Sequence, residues 1–577
     1  MTLRSSWIRK LSRAVRDLKR AALATALGLA LTAPLNAQAT DPRAAQAEFE
    51  RARIARLPWS REPAGGPCDE VVGRFCYRRE SGTDRPPLPE PAGVAELRDA
   101  LIAVLDAAAG GSPEDPWIAG QRIRYRIEAG RAREAAGVAA ACAAERWWCA
   151  ALEGAALHAA GDFAVAERAF DRALAAMPAE ERERWTDVAP ILDAPSQRLW
   201  RGLGGGAREA FAHRVWWSAD PLWSVPGNEL RAEHFARRTW NAMQEGAASA
   251  YGVPWGADLE ELLVRYGWPV AWERSRDGVG RLGGSGPPAV VARDPPGARR
   301  FVPTLAAIAD PAAVEAADWG LEDPRPRATY APAYARRFLG IEPQIAAFRR
   351  GEDAILAVGW ALPADSVAAG ATVTAVALAS EGPDRPIAEA RSASARPGGA
   401  LALRVPWPRA VVSVEALGGG AAGRWRGGIE LPGSRPGPPA VSDLLLLRPS
   451  SSLPATLEDA IPRAREEAAA RPGESLPIFW ETYPGPGFPG GPATFALGIR
   501  TGPAGLATRI ARALGFRGGA AGAELRWTED LAPGAVVPRA VRLELPDLAP
   551  GDYLLELEVS WPDGSVSRAS RAVSVAR

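Results

Sequence analysis

The sequence predicts a multidomain α+β protein: N-terminal helical repeats, a central α/β-like segment and C-terminal antiparallel β-sandwich modules. Three observations carry this. The 577 residues are too many for one hydrophobic core and suggest about three or four domains. Between Val94 and Pro178, Ala and Leu recur at three- and four-residue spacing, the period of helices that pack along one face. From about Asp353 onward, short β-branched or alternating runs follow one another between Gly/Pro turns. The implied units are an export signal over 1–39, an irregular cysteine-containing linker segment over 40–95, helical repeats over 96–190, the central segment over 191–345, and sandwich modules over 346–435 and 436–577.

Residues 1–39 pair a basic start with the apolar stretch Ala21–Leu31 and end in Ala37-Gln38-Ala39, the small-x-small pattern of a signal-peptidase site. The apolar run is shorter than the roughly 20 residues a membrane-spanning helix needs. Cleavage after Ala39 is therefore expected, leaving no stable transmembrane span and a periplasmic or cell-envelope location. The segment holds seven Lys/Arg against one Asp, so its removal takes the net charge from +1 to −5. That balance lacks the basic face a nucleic-acid partner needs. Both lysines of the chain, Lys10 and Lys19, leave with the signal. A lysine-free chain forms no Schiff base, has no Walker-type phosphate lysine and runs no Ser–Lys chemistry.

Four cysteines, Cys68, Cys76, Cys142 and Cys149, read as two disulfides in an exported chain. Three pairings are open, and the local one, Cys68 with Cys76 and Cys142 with Cys149, is expected. Zinc would want tighter pairs than CDEVVGRFC and CAAERWWC.

Within the helical region, "EGAALHAAGDFAVAERAFDRALAAMP" places Gly154, Leu157, Gly161, Ala166, Phe170, Ala173 and Pro178 where a tetratricopeptide repeat has its small, large and terminating residues. Small residues let two helices approach, Phe170 fills the gap between them, and Pro178 stops the second. Ala150 stands where the repeat has tryptophan. One period of 34 earlier lies Gly120, opening a degenerate copy. Further on, Gly202–Ala207 (GLGGGA) matches a dinucleotide fingerprint in letters, but the helical pattern before it is the wrong context, so no cofactor is expected. The stretch Trp255–Arg274 parses as a capping-box-like start at Asp258 and Glu261, an apolar face at Leu259, Leu262, Leu263 and Tyr266, a stop at Gly267 and Pro269, and a strand.

Ten β runs lie between Ala354 and Val575, with Leu457–Ala470 read as a helical interruption between two sandwiches.

Several segments, in this order, resemble the bacterial GWxTD-domain family. Pro254–Asp258 keeps the Trp and Asp of the naming motif and lacks its Gly and Thr. Asp220–Arg238 ("DPLWSVPGNELRAEHFARR") and Arg265–Pro269 ("RYGWP") look like the family's flanking segments, and Pro343–Leu362, Val441–Leu447, Phe479–Tyr483 and Pro550–Val559 look like the β portion of its longer members. The likeness covers roughly 190–577. It implies an exported protein and an architecture, with no reaction attached. The residues singled out as motif or binding candidates are Trp216, Asp220, Asn228, Glu229, His234, Trp255, Asp258, Arg265, Tyr266, Gly267 and Pro269.

No catalytic set is legible. His158 reads as a packing or surface residue, while His213 and His234 flank one loop without a Gly-x-Ser-x-Gly elbow or enough free ligands for zinc. Glu229, Glu233, Asp258 and Glu261 supply carboxylates of the kind glycosidases pair, but neighbouring arginines make ion pairs the better account. The anomaly is tryptophan, 21 residues against 8 Tyr and 13 Phe. Most are expected to fill a core, with one of Trp216 and Trp217 left outside because neighbours on a helix face different ways. The expectation is a non-catalytic scaffold offering its repeats to a protein or peptide partner. The rival is a carbohydrate-binding or carbohydrate-active protein using the Trp-rich segment.

Overall fold

A computed structural model describes residues 41–60, 68–77, 87–275, 289–323, 326–431, 439–501, 524–545 and 547–575. The signal expected over 1–39 lies outside the described residues.

Within the segment 40–95, expected to be an irregular linker, the described residues form a helix, a hairpin and the start of a second helix. Helix α1 (Pro42–Arg56) starts at Asp41, whose carboxylate accepts from the Arg43 amide, with Pro42 at the first helical position. Its buried residues are Gln46, Phe49, Glu50 and Arg53, polar apart from Phe49. No apolar period marks it in the sequence. A hairpin follows, β1 (Glu70–Val72) with β2 (Phe75–Tyr77), closed by the Cys68–Cys76 bond. It turns at Gly73, φ +53°, where the Asp258 side chain leaves no room for a Cβ.

Helices α2 (Ala92–Gly111), α3 (Pro116–Glu128), α4 (Ala132–Ala140), α5 (Arg146–Ala159), α6 (Phe163–Ala176) and α7 (Ala179–Thr186) form the helical region. The Cys142–Cys149 bond staples the turn between α4 and α5. Helices α5 and α6 pack as a hairpin with Gly154 under Phe170, and Met177 and Pro178 are extended, ending α6.

Next come α8 (Ala194–Gly202) and α9 (Gly205–Ala219), so GLGGGA is a helix–helix turn without a strand leading in. Helix α10 (Glu229–Ala242) then lies across α5 and α6, burying Ala232, Phe235, Ala236 and Trp240 against Ala151, Ala155 and Phe170. The hairpin face that could have offered a groove is thus filled by the same chain. Helix α11 (Ala257–Tyr266) stops at Gly267, φ +88°, and gives way to β3 (Ala271–Ser275), as the sequence pattern predicts.

Beyond β3 the α/β-like expectation for 191–345 fails. An α/β layer needs parallel strands joined by crossover helices, whereas β3 pairs antiparallel with β4 (Ala289–Arg293). After the short helix α12 (Leu305–Ala309), β5 (Arg337–Gly340) joins the sheet of the next unit. Among its described residues the central segment is helical, with the β3–β4 hairpin and the edge strand β5.

The first sandwich packs a three-stranded sheet, ordered β10 (Gly398–Val405), β7 (Asp353–Ala361), β6 (Gln344–Arg350), on a five-stranded one, ordered β5, β12 (Ala421–Glu430), β11 (Arg409–Gly418), β8 (Val373–Ser380), β9 (Ala388–Ser394). Leu356, Val358 and Trp360 meet Ala377, Val412 and Val414 in its core. In the second, β13 (Ala440–Val441), β14 (Leu445–Leu446) and β19 (Val537–Glu544) pair with β16 (Ser475–Tyr483). They face a sheet ordered β15 (Ala469–Ala470), β21 (Val566–Val575), β20 (Gly551–Ser560), β17 (Gly491–Thr501), β18 (Glu524–Leu531). The helix expected over Leu457–Ala470 is one turn, α13 (Leu457–Ala460), and a 3-10 turn, Ile461–Arg463; Pro462 forbids a longer helix and the chain bends through 466–468 into β15. Phe348, Leu445, Leu447, Leu457 and Phe479 form a shared core between the sandwiches.

Candidate functional site

Two of the sequence motifs are joints. After α9 ends at Ala219, the loop Asp220–Ser224 runs along β11 and β12 of the first sandwich. Arg424 donates to the carbonyls of Asp220 and Pro221, and Arg426 to those of Ser218 and Asp220. Glu415 accepts from the amides of Trp223 and Ser224, 2.9 Å each. The Arg426 guanidinium lies 3.9 Å from the Trp223 ring centroid, and Trp223 stacks on the half-buried Trp217 at 4.6 Å. Sequence reasoning missed these three sandwich residues because charged residues on strands read as solvent-facing; all three are buried.

Beside the joint sit two buried acids, Asp220 and Glu229. Burial pushes the Glu229 carboxyl up to about 8, against a hydrogen bond from the Tyr334 hydroxyl at 2.7 Å. Burial, then the neighbouring Glu229, raises Asp220 well above the usual carboxylate range. Asn228 caps α10 by accepting from the Arg231 amide and donates to the Trp216 carbonyl. Trp216 is buried, 5.1 Å from the His234 ring. His234 is buried with Nε2 2.9 Å from the Trp185 carbonyl, and burial followed by the Arg238 charge lowers it to about 3. It is a neutral packing imidazole. His213 points elsewhere, exposed beside Asp384 at 3.6 Å.

The second joint is the motif around α11. Gly256 caps this helix, not Asp258, so the capping box is absent. Asp258 instead accepts from Arg74 of the β1–β2 turn, which holds its carboxyl down to about 2. Arg265, fully buried, pairs with Glu70 and Glu261, while Tyr266 stacks on Tyr77 at 3.7 Å and donates to Glu70. These residues seat the disulfide-bonded hairpin. Trp255 donates to Asn241. At Gly267 a Cβ would sit 3.1 Å from Arg237, whose guanidinium donates to the carbonyls of Val264, Arg265 and Thr329 and so caps the negative end of α11. The ion-pair account therefore holds for Glu233, Asp258 and Glu261, and Glu229 departs from it.

The structure also assembles what the sequence did not announce, a cavity of about 560 Å³ among α1, α2, α3, α5, α10 and the segment after α11. Trp240, Trp268, Pro269 and Trp272 supply its apolar wall, and Arg53, Arg98, Glu128, His158, Glu233 and Arg237 its polar one. Arg53 pairs with Glu128 at 2.9 Å, Arg98 pairs with Glu90, and Glu233 pairs with Arg237 at 2.6 Å. Burial opposes ionisation of Glu128 and Glu233, yet the arginines around the first and Arg237 beside the second hold both below the ordinary value. Burial lowers His158, 3.4 Å from Glu233, and keeps it neutral. Among the described residues no group of three or more His, Cys, Asp or Glu could hold a metal ion.

No family model and no curated protein matches the sequence. Solved structures with partial similarity include Spo0M, a sporulation control protein from Bacillus subtilis, at 12% identity over 24% of this chain and 50% of that one, TM-score 0.15. Red sea bream transglutaminase matches at 14% identity over 41% and 31%, TM-score 0.14. Escherichia coli alpha-2-macroglobulin matches at 12% identity over 41% and 23%, TM-score 0.15. The chain spans half or less of each, and at these scores the function rests on the geometry.

Proposed function

We propose that the chain is an exported, non-catalytic scaffold of the bacterial cell envelope, a GWxTD-type protein with a tetratricopeptide-like region in front. The observation that carries this is the use of the motif residues. Asp220–Ser224 is bound by Glu415, Arg424 and Arg426, and Asp258, Arg265 and Tyr266 hold the β1–β2 hairpin, so the most distinctive side chains join units. Export agrees with two disulfides, and no helix among the described residues is long and apolar enough to cross a membrane. Since α10 covers the α5–α6 face, a protein or peptide partner would meet the surfaces of 96–190 that α10 leaves open. In-cell crosslinking of the tagged chain with mass spectrometry tests this. One dominant partner linked through 96–190 supports the scaffold; diffuse capture contradicts it.

A second reading, a carbohydrate-binding protein, is favoured by the tryptophan-lined cavity. A glycan array on the mature chain tests it.

A further inference from the structure

We propose that the cavity bounded by Trp240, Trp268 and Trp272 is a binding site for a neutral saccharide, held without hydrolysis. The proposal rests on the carbohydrate-binding reading and specifies its place and ligand class.

Size comes first. About 560 Å³ lies within the range of roughly 300–1,000 Å³ that small-molecule sites occupy. Charge comes next. The ionic groups of the wall are matched, Arg53 with Glu128, Arg98 with Glu90 and Arg237 with Glu233, and His158 is neutral. A charged ligand meets no net opposite charge there. Hydroxyls, each able to donate and accept, suit a wall that alternates carboxylate acceptors with guanidinium donors. The indoles with Pro269 give the C–H face of a sugar ring an apolar surface.

Hydrolysis needs a protonated carboxylic acid beside a second carboxylate. Each of the lining carboxylates, Glu90, Glu128 and Glu233, is engaged by an arginine, Arg98, Arg53 and Arg237, so none is left to act as the acid. The cavity retains a sugar and breaks no bond.

The test uses the full mature chain and Ala159→Trp. Ala159 is the exposed last residue of α5 on the cavity rim, so an indole there blocks the cavity without removing any core contact. Both proteins are applied to an array of neutral and acidic oligosaccharides, and the strongest hits are titrated by calorimetry, with melting curves confirming folding. The expected result is binding of neutral glycans by the wild type and a loss of at least about tenfold in affinity in Ala159→Trp at an unchanged melting temperature. Equal binding by a folded Ala159→Trp overturns the cavity while leaving the carbohydrate-binding reading standing. Binding of acidic glycans alone overturns the ligand class, and a folded wild type that binds no glycan overturns both.

Discussion

Phe170 on α6 lies across Gly154 on α5 so closely that a Cβ added to Gly154 would stand 2.7 Å from the ring. Both residues are buried, so neither helix can yield without opening the core it shares with α10. Gly154→Ala is expected to lose about 1–3 kcal/mol by overpacking, in spite of alanine's better helix propensity. Gly154→Ala with Phe170→Leu should recover part of it. Urea unfolding of the three proteins reads this, and a stabilised Gly154→Ala would show that the pair has slack.

Glu229 gives stability a particular pH dependence. Its carboxyl stays protonated to about 8 in the folded chain because it is buried, whereas the unfolded chain ionises it near 4.5. Its contribution is therefore complete below about pH 4.5 and is lost as pH rises toward 8, by about 1.4 kcal/mol per pH unit. His234 has the opposite sign: with a folded value of about 3 against 6.5, its contribution is complete above 6.5 and is lost as pH falls toward 3. Glu229→Gln isolates the first effect. The variant should match the wild type near pH 4 and exceed it increasingly toward pH 8 in thermal melts. A difference that does not change with pH would refute the assignment.

The bond between Cys142 and Cys149 spans a sequence separation of 7. Closing so short a loop restricts the unfolded chain by about 2.5 kcal/mol on the chain-entropy account. The double variant Cys142→Ser/Cys149→Ser should unfold at lower urea by the corresponding amount. Equal midpoints would mean that the packing of Trp147 and Trp148 fixes this turn without the bond.

How far the sequence could be read depended on where the information sits. The stretch Ala257–Ser275 was legible because its apolar period, its glycine stop and its strand are all local. All ten β runs read from the sequence became strands, but β9 (AEARSAS) and β12 (AAGRWRGGIE) were not read, because neither has an alternating apolar pattern. In β12, Gly428 is required where the Ala312 carbonyl would lie 2.3 Å from a Cβ, a contact made by a residue over a hundred positions away. Helix α1 escaped notice because its inward face is Gln46, Glu50 and Arg53, polar groups that pair with Tyr125, Arg124 and Glu128 from α3. The cavity had the same obstacle. His158 looked like a packing residue on its own helix, and only the fold places it beside Glu233 and in one wall with Arg53 and Trp268.

Glu415 tests the account's central claim, that the loop Asp220–Ser224 is a buried joint making the helical half and the first sandwich one unit. Its carboxylate is 1% exposed and is shared by the Trp223 and Ser224 amides and the Arg426 guanidinium. Removing one partner of such a buried cluster costs roughly 3–5 kcal/mol. Hydrogen–deuterium exchange by mass spectrometry on wild type and Glu415→Ala resolves where that loss falls. The account predicts faster exchange in both 220–224 and strands β11 and β12. Faster exchange confined to the sandwich, with 220–224 as protected as in the wild type, would contradict it.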